Sequence, residues 1–361
     1  MDDGQKRGFM QFQDVRAFLD NVLDEDIHTK RVGSLANATL GVMTGASLGV
    51  AIIGKSLAQA RGLLPKHAIK QVDRLLSNSK LEAWDVFAPW VPEMVGPRED
   101  IVVAMDWTDY DADGQATLAL KLVTRHGRAT PLVWLSVLKD ELSHARNDYE
   151  DACLRRLAEV LPAGVRVTIL ADRGFADTKL FGFLDELGFA YVIRLKGNTT
   201  VRAADGPTRP AGEWVGQGGR ARKLRDAAVT EARCPVGAVV CVHAKGMKEA
   251  WCLAASNAAA PSRQIIDLYS KRWGVEIVFT QLTKAPLLAV WADGDDVADL
   301  DFVVGDHDAV DQKFHQLAPL GEVGLGQSRL DPSAEVRGRS RPAGELRGAI
   351  DLGFQLVRLD T

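Results

Sequence analysis

The sequence predicts an α/β protein: a mixed sheet flanked by helices, with a helical region in front and a β-rich insertion ahead of the last helix. Three observations predict it. Residues 11–95 carry apolar side chains at helical spacing. Beyond residue 97 the pattern changes to short apolar or alternating runs, in the order strand, strand, strand, helix, strand, helix, strand. Two of these runs end in an acid, Asp106 and Asp172.

Composition bounds the possibilities. A chain of 361 residues can bury a sizeable core and ordinarily holds two domains. Its 46% apolar and 25% charged residues are those of a soluble globular protein. No apolar run reaches the ~18 residues of a membrane span. The Met1-Asp-Asp-Gly start lacks a basic stretch followed by an apolar one, so the expectation is a cytoplasmic chain. Cys153, Cys234, Cys241 and Cys252 show no C-x-x-C spacing and no nearby His pair, and read as reduced thiols. The net charge of −4 is unevenly spread: residues 285–361 hold 7 Lys+Arg against 14 Asp+Glu, and residues 1–284 hold 37 against 34. A mildly basic main body is compatible with DNA.

In the front region, residues 1–95, Phe12, Val15, Phe18, Leu19, Val22 and Leu23 form a first helical stripe. Val32 to Leu63 is small and apolar nearly throughout, which permits close helix packing and predicts a compact bundle. Pro65 opens a further helix. Ile69, Val72, Leu75 and Leu76 make its apolar face, and Lys66, His67, Lys70 and Arg74 its basic one. Following Gly62-Leu-Leu, it reads either as the second helix of a helix-turn-helix pair that reaches DNA or as a solvated amphipathic helix. Pro89, Pro92 and Pro97 read as a linker.

Residues 100–196 follow. Ile101-Val-Val-Ala-Met-Asp106 is a continuous apolar run closed by an acid, the pattern of a central strand. Ala116–Val123 and Pro131–Val137 are the second and third strands, Asn147–Val160 a helix, Val165–Asp172 the fourth strand. Asp177–Gly188 is a helix closed by glycine, and Tyr191–Leu195 the fifth strand. Asp109 and Asp177 rank below Asp106 and Asp172 because they are read as lying beyond the strands. Residues 197–256 form the insertion. Its Gly- and Arg-rich start, Gly216 to Arg225, reads equally as a DNA contact or an exposed loop, and 238–242 and 251–255 read as strands.

A last helix, within 257–284, begins after Pro261. Tyr269, Arg272 and Glu276 sit at i, i+3 and i+7 and share a face. A ring, a guanidinium fork and a carboxylate in one stripe suit a site that handles phosphates and a metal, or else form a solvated face with one Arg–Glu pair. Carboxylates at two strand ends sharpen the first reading, since an isolated buried acid is costly without a partner or a metal. Hard oxygen ligands select Mg²⁺ or Mn²⁺, and two such ions suit in-line phosphodiester chemistry.

The order of elements is that of the ribonuclease-H-like fold. Asp106-Trp-Thr-Asp-Tyr, Ala171-Asp172-Arg-Gly-Phe-Ala-Asp and Tyr269-x2-Arg272-x3-Glu276 together resemble the DDE transposases of bacterial insertion sequences, in the subgroup with a Tyr-Arg-Glu-Lys signature. Residues 28–78 also resemble the front of such proteins, and the resemblance covers roughly residues 12–282. It implies that Asp106, Asp172 and Glu276 hold two Mg²⁺ or Mn²⁺ ions. It further implies that Tyr269 and Arg272 contact phosphates and that the insertion helps grip DNA. Trp251 is then either near a displaced base or in the core. The implied activity is DNA transposition on double-stranded DNA: water nicks the element's end and the freed 3′-hydroxyl attacks a second phosphodiester. The implied assembly is a homodimer across two terminal repeats, on the bacterial nucleoid.

The pattern breaks after Glu276. The signature lysine belongs seven residues on, where Thr283 stands; Lys284, the remaining candidate DNA contact, is one position off the stripe. Residues 285–361 are acidic and without periodicity, as expected of a disordered or out-of-frame C-terminus following a frameshift near codon 280. Two rival readings are a nuclease of the same fold, which cuts without joining, and a non-catalytic DNA-binding regulator of transposition.

Overall fold

The structure, a computed structural model, describes residues 11–23, 27–111, 114–124, 129–204 and 206–272. Glu276, Lys284 and the 285–361 segment lie outside the described residues. Among the described residues the expected helical front comprises α1 (Phe12–Leu23), α2 (Thr29–Gly45), α3 (Val50–Arg61), α4 (Pro65–Leu76) and α5 (Ala83–Val95). The apolar run from Val32 to Leu63 is divided between α2 and α3, and the left-handed Ala46 ends α2. Small residues do let the helices approach closely. A Cβ on Gly54 of α3 would sit 2.4 Å from Ile69 Cα in α4, so only glycine fits that crossing.

The predicted linker is instead α5. Pro89 and Pro92 lie inside it, and Val86, Phe87, Trp90, Val91, Met94 and Val95 are buried. Proline frees the carbonyl four residues earlier. Here those carbonyls belong to Asp85 and Ala88, both at exposed positions where water can satisfy them. Phe87 stacks edge-on against Trp134 with centroids 4.7 Å apart, and Trp90 Nε1 donates to the Pro131 carbonyl at 2.9 Å. The helical region and the sheet therefore share one apolar core.

Among the described residues the sheet has ten strands. β1 (Asp100–Tyr110), β2 (Gln115–Val123) and β3 (Ala129–Leu138) form an antiparallel meander. α6 (Lys139–Val160) leads to β4 (Arg166–Ala171), and α7 (Thr178–Glu186) to β5 (Ala190–Leu195), both strands running parallel to β1. α6 begins eight residues before the expected Asn147; its first turns are largely exposed and carry no apolar period to read. β6 (Thr200–Arg202), β7 (Thr208–Pro210), β8 (Arg222–Val229), β9 (Cys234–Val242) and β10 (Trp251–Ala255) make up the insertion. These strands do not interrupt the sheet but extend it, because β10 pairs antiparallel with β5. The spatial order is β3-β2-β1-β4-β5-β10-β9-β8-β6-β7. α8 (Ser262–Ser270) covers the sheet face on which Leu170, Val192, Leu253 and Trp251 lie, and buries Ile265 and Tyr269 against them. No single helix among the described residues is long and apolar enough to cross a membrane.

Candidate active site

Register brings the two strand-end acids together. In the parallel pair β1–β4, Met105 stands opposite Ala171, so Asp106 and the residue following β4, Asp172, are neighbours at adjacent strand ends. Two residues along a strand share a face. Asp106 thus projects with Ala104 and Val102 toward the α8 side, and Met105 and Trp107 toward the α6 side. Asp109 lies within β1, not beyond it. It falls on the Trp107 face, where it pairs with Lys139 at 3.1 Å. Asp177 caps α7 by accepting from Lys179 N at 3.1 Å.

Arg272, 5% exposed, joins the two acids. Its Nη2 donates to Asp106 Oδ1 at 3.1 Å and lies 3.9 Å from Asp172 Oδ2. It is placed there because α8 ends at Ser270 and Arg272 N hydrogen-bonds the Tyr269 carbonyl at 3.0 Å, closing a final turn against the sheet. Tyr269 is fully buried, with its ring edge-on to Trp251 at 5.1 Å. Both aromatics are buried in this structure. Asp172 is half-buried and its Oδ1 accepts from Gly174 N at 2.7 Å, which starts a single 3₁₀ turn over Arg173–Phe175. Arg173 leads away to Glu249 at 2.8 Å, and Arg194 shares that carboxylate at 2.9 Å, tying the Asp172 end to the β9–β10 connection.

Two groups near the site escaped the sequence reading. Lys121 is 2% exposed on central β2 and stands opposite Ala104, on the Asp106 face. Its signal was a lysine in the middle of an alternating strand run. Glu150, 5% exposed on α6, takes a 2.8 Å hydrogen bond from Trp107 Nε1. Burial raises its carboxyl above the ordinary range, against the opposing pull of Trp107 and Arg146.

Lys66, Lys70 and Arg74 are all exposed on α4. Lys70 and Arg74, with His67, Ser34, Gln71 and Asn78, line a groove between α4 and the start of α2. The four cysteines are free thiols.

What the arrangement offers chemically is two hard carboxylates side by side with a guanidinium between them. That donor chemistry fits a divalent cation such as Mg²⁺, for which oxygen ligands are preferred. Among the described residues no further His, Cys, Asp or Glu completes a three-ligand set. The third acid expected from the sequence, Glu276, is outside them.

A family model described as "Transposase DDE domain" matches residues 97–288. A search of curated proteins found no match. Among solved structures, the Marinitoga piezophila Argonaute in complex with 5′-OH guide RNA and target DNA aligns at 11% identity over 58% of this chain and 30% of that chain. Its TM-score is 0.22, too low to carry an argument.

Proposed function

Because the chain belongs to the transposase DDE-domain family, we propose that it is a DNA transposase whose catalytic acids are Asp106, Asp172 and, from the sequence, Glu276. The observation that carries this is the β1–β4 register, which sets Asp106 beside Asp172 with Arg272 across both. The sheet order β3-β2-β1-β4-β5 supports reading residues 100–196 as a ribonuclease-H-like core.

Asp106 and Asp172 would hold the divalent ions, Mg²⁺ or Mn²⁺, with Glu276 as the third ligand. Bound there, such ions would lower the cost of deprotonating the attacking oxygen and of charge on the leaving one. The chain's own part is positional. The strand ends fix the carboxylates, and the buried Arg272 offers a planar fork of donors that suits a phosphate as well as a carboxylate. Arg272 would then hand its hydrogen bond from Asp106 to the scissile phosphate. The exposed α4 cations Lys66, Lys70 and Arg74, the last two lining the groove, supply backbone contacts to double-stranded DNA away from the reacting phosphate. Cleavage of an insertion sequence's ends, strand transfer, action as a homodimer and location on the nucleoid all belong to this reading.

The matched segment ends at residue 288, four residues into the acidic, patternless stretch that begins at 285. Residues 289–361 lie beyond the match, which supports reading this stretch apart from the family's domain.

The test is cleavage of a supercoiled plasmid carrying the DNA that flanks the gene, in Mg²⁺ or Mn²⁺. Wild type is expected to nick at the repeat ends, and Asp106→Asn and Asp172→Asn to lose at least about 100-fold. Equal cleavage by wild type and both variants defeats the reading. Retained end-binding without cleavage by wild type would favour a regulator instead. Nicking without joined products would favour a nuclease.

A further inference from the structure

We infer that α6 is a positioning helix for both acid-bearing strand ends, with Glu150 holding Trp107 and Asn147 holding the turn that follows Asp172. The inference rests on the reading of Asp106 and Asp172 as metal-holding acids.

Trp107 is fixed by two groups of α6. Its Nε1 donates to Glu150 Oε1 at 2.8 Å, and the Arg146 guanidinium lies 5.2 Å from its ring centre. Arg146 Nε also donates to Glu150 Oε1, at 3.3 Å, so the three side chains form a closed set. Trp107 is bonded in sequence to Asp106, and strand alternation turns the two side chains to opposite faces. Holding the indole on one face therefore holds the direction of the carboxylate on the other.

One turn earlier on α6, Asn147 Nδ2 donates to Asp177 Oδ2 at 2.8 Å. Residues three apart on a helix share a side, so Asn147 and Glu150 act from the same stripe. The loop from Asp172 to Asp177 is thereby closed at both ends: Asp172 binds Gly174 N, and Asp177 binds both Asn147 and Lys179 N. Buried Phe175 anchors its middle.

Packing alone does not call for these groups. Even with Trp107 and Arg146 as partners, a carboxylate that is 5% exposed carries a desolvation cost that a leucine would not. What the polar groups supply, and apolar ones cannot, is direction. Outer hydrogen bonds that aim metal-holding side chains commonly change metal affinity by about 10- to 100-fold when removed.

The experiment uses the full chain as wild type, Glu150→Leu, Glu150→Gln and Asn147→Ala, with Asp106→Asn as control. Amide hydrogen exchange without added cation is compared at residues 105–110, 172–178 and 190–195. Mn²⁺ affinity and the thermal midpoint are measured alongside. Glu150→Leu is expected to speed exchange at 105–110 about tenfold over any change at 190–195. Asn147→Ala is expected to do the same at 172–178. Glu150→Gln, which keeps an oxygen for the indole N–H, is expected to stay within about twofold of wild type. Both disruptive variants are expected to weaken Mn²⁺ binding about 10- to 100-fold. Unchanged exchange at the two strand ends, or an equal rise at 190–195, overturns the inference. Should wild type bind Mn²⁺ no better than Asp106→Asn, the metal reading is what fails, and the exchange comparison still decides whether α6 positions the two ends.

Discussion

Arg272 reaches back across 166 residues of sequence to donate from Nη2 to Asp106 Oδ1 at 3.1 Å. It is a near-buried cation, with 6% of its side chain exposed against 23% for Asp106. The same Nη2 lies 3.9 Å from Asp172, so one guanidinium offsets the repulsion between the two carboxylates.

Arg272→Ala is therefore expected to destabilise the chain. Breaking a buried pair by removing one partner costs about 3–5 kcal/mol, and the partial exposure of Asp106 puts this pair at or below the low end. Arg272→Lys is expected not to restore cleavage, because an ammonium cannot present a planar fork to two oxygens. Urea denaturation and plasmid cleavage measure the two effects. A lysine variant with wild-type cleavage would contradict the argument.

Tyr269 separates packing from contact. Its ring is fully buried against Trp251, and Tyr269→Ala is expected to cost about 3–5 kcal/mol as the cavity opens. Tyr269→Phe keeps the ring and is expected to cleave DNA within a few-fold of wild type. If Tyr269→Phe instead abolishes cleavage at unchanged stability, the hydroxyl has a phosphate role that burial argues against.

Much of this geometry was legible because its signal is local. An apolar run closed by an acid marked both Asp106 and Asp172, and the order of runs gave the β1–β5 succession. What the sequence could not show is pairing. The facing of Met105 and Ala171, the continuation of the sheet from β5 to β10, and the Arg272–Asp106 bond all join distant residues. α5 departs from the linker expectation because Pro89 and Pro92 weigh heavily in any local reading, yet the packing of Phe87 and Trp90 against β3 outweighs them. Asp109 was placed beyond its strand because apolarity ends before the hydrogen-bonded ladder does: β1 runs on to Tyr110.

The α3–α4 crossing offers a handle on the front region. Gly54 has no room for a Cβ, which would meet the Ile69 backbone at 2.4 and 2.7 Å. Gly54→Ala must push α4 away, at about 1–3 kcal/mol by the usual cost of overpacking. Since α4 carries Lys66, Lys70 and Arg74, DNA affinity is expected to fall along with stability. Calorimetry and a gel-shift titration on the same variant would check both.

Glu150 makes stability depend on pH with a definite sign. Burial raises its folded value above the ordinary 4.5, so the native state binds the proton more tightly than the unfolded one. The stabilisation from protonated Glu150 is complete below the ordinary value and is lost as pH rises through the raised one. Glu150→Gln cannot ionise. It is expected to match wild type near pH ~4 and to exceed it near pH ~8, with urea midpoints across that range as the measurement. A variant that loses stability relative to wild type as pH rises would reverse the sign and refute it.

The basic face of α4 predicts how binding responds to salt. Each Lys or Arg that neutralises a phosphate contributes nearly one unit to the slope of log affinity against log salt. Lys66, Lys70 and Arg74 are exposed on one helix, and the last two line the groove beside Ser34 and Asn78. Lys70→Ala and Arg74→Ala are each expected to lower that slope by about one, and the double variant by about two. The loss should be the same on specific and random duplexes, because phosphate contacts carry no sequence information. Fluorescence anisotropy at several salt concentrations would measure it. Slopes unchanged in the double variant would mean that α4 is a solvated amphipathic helix, and that DNA is held by other residues.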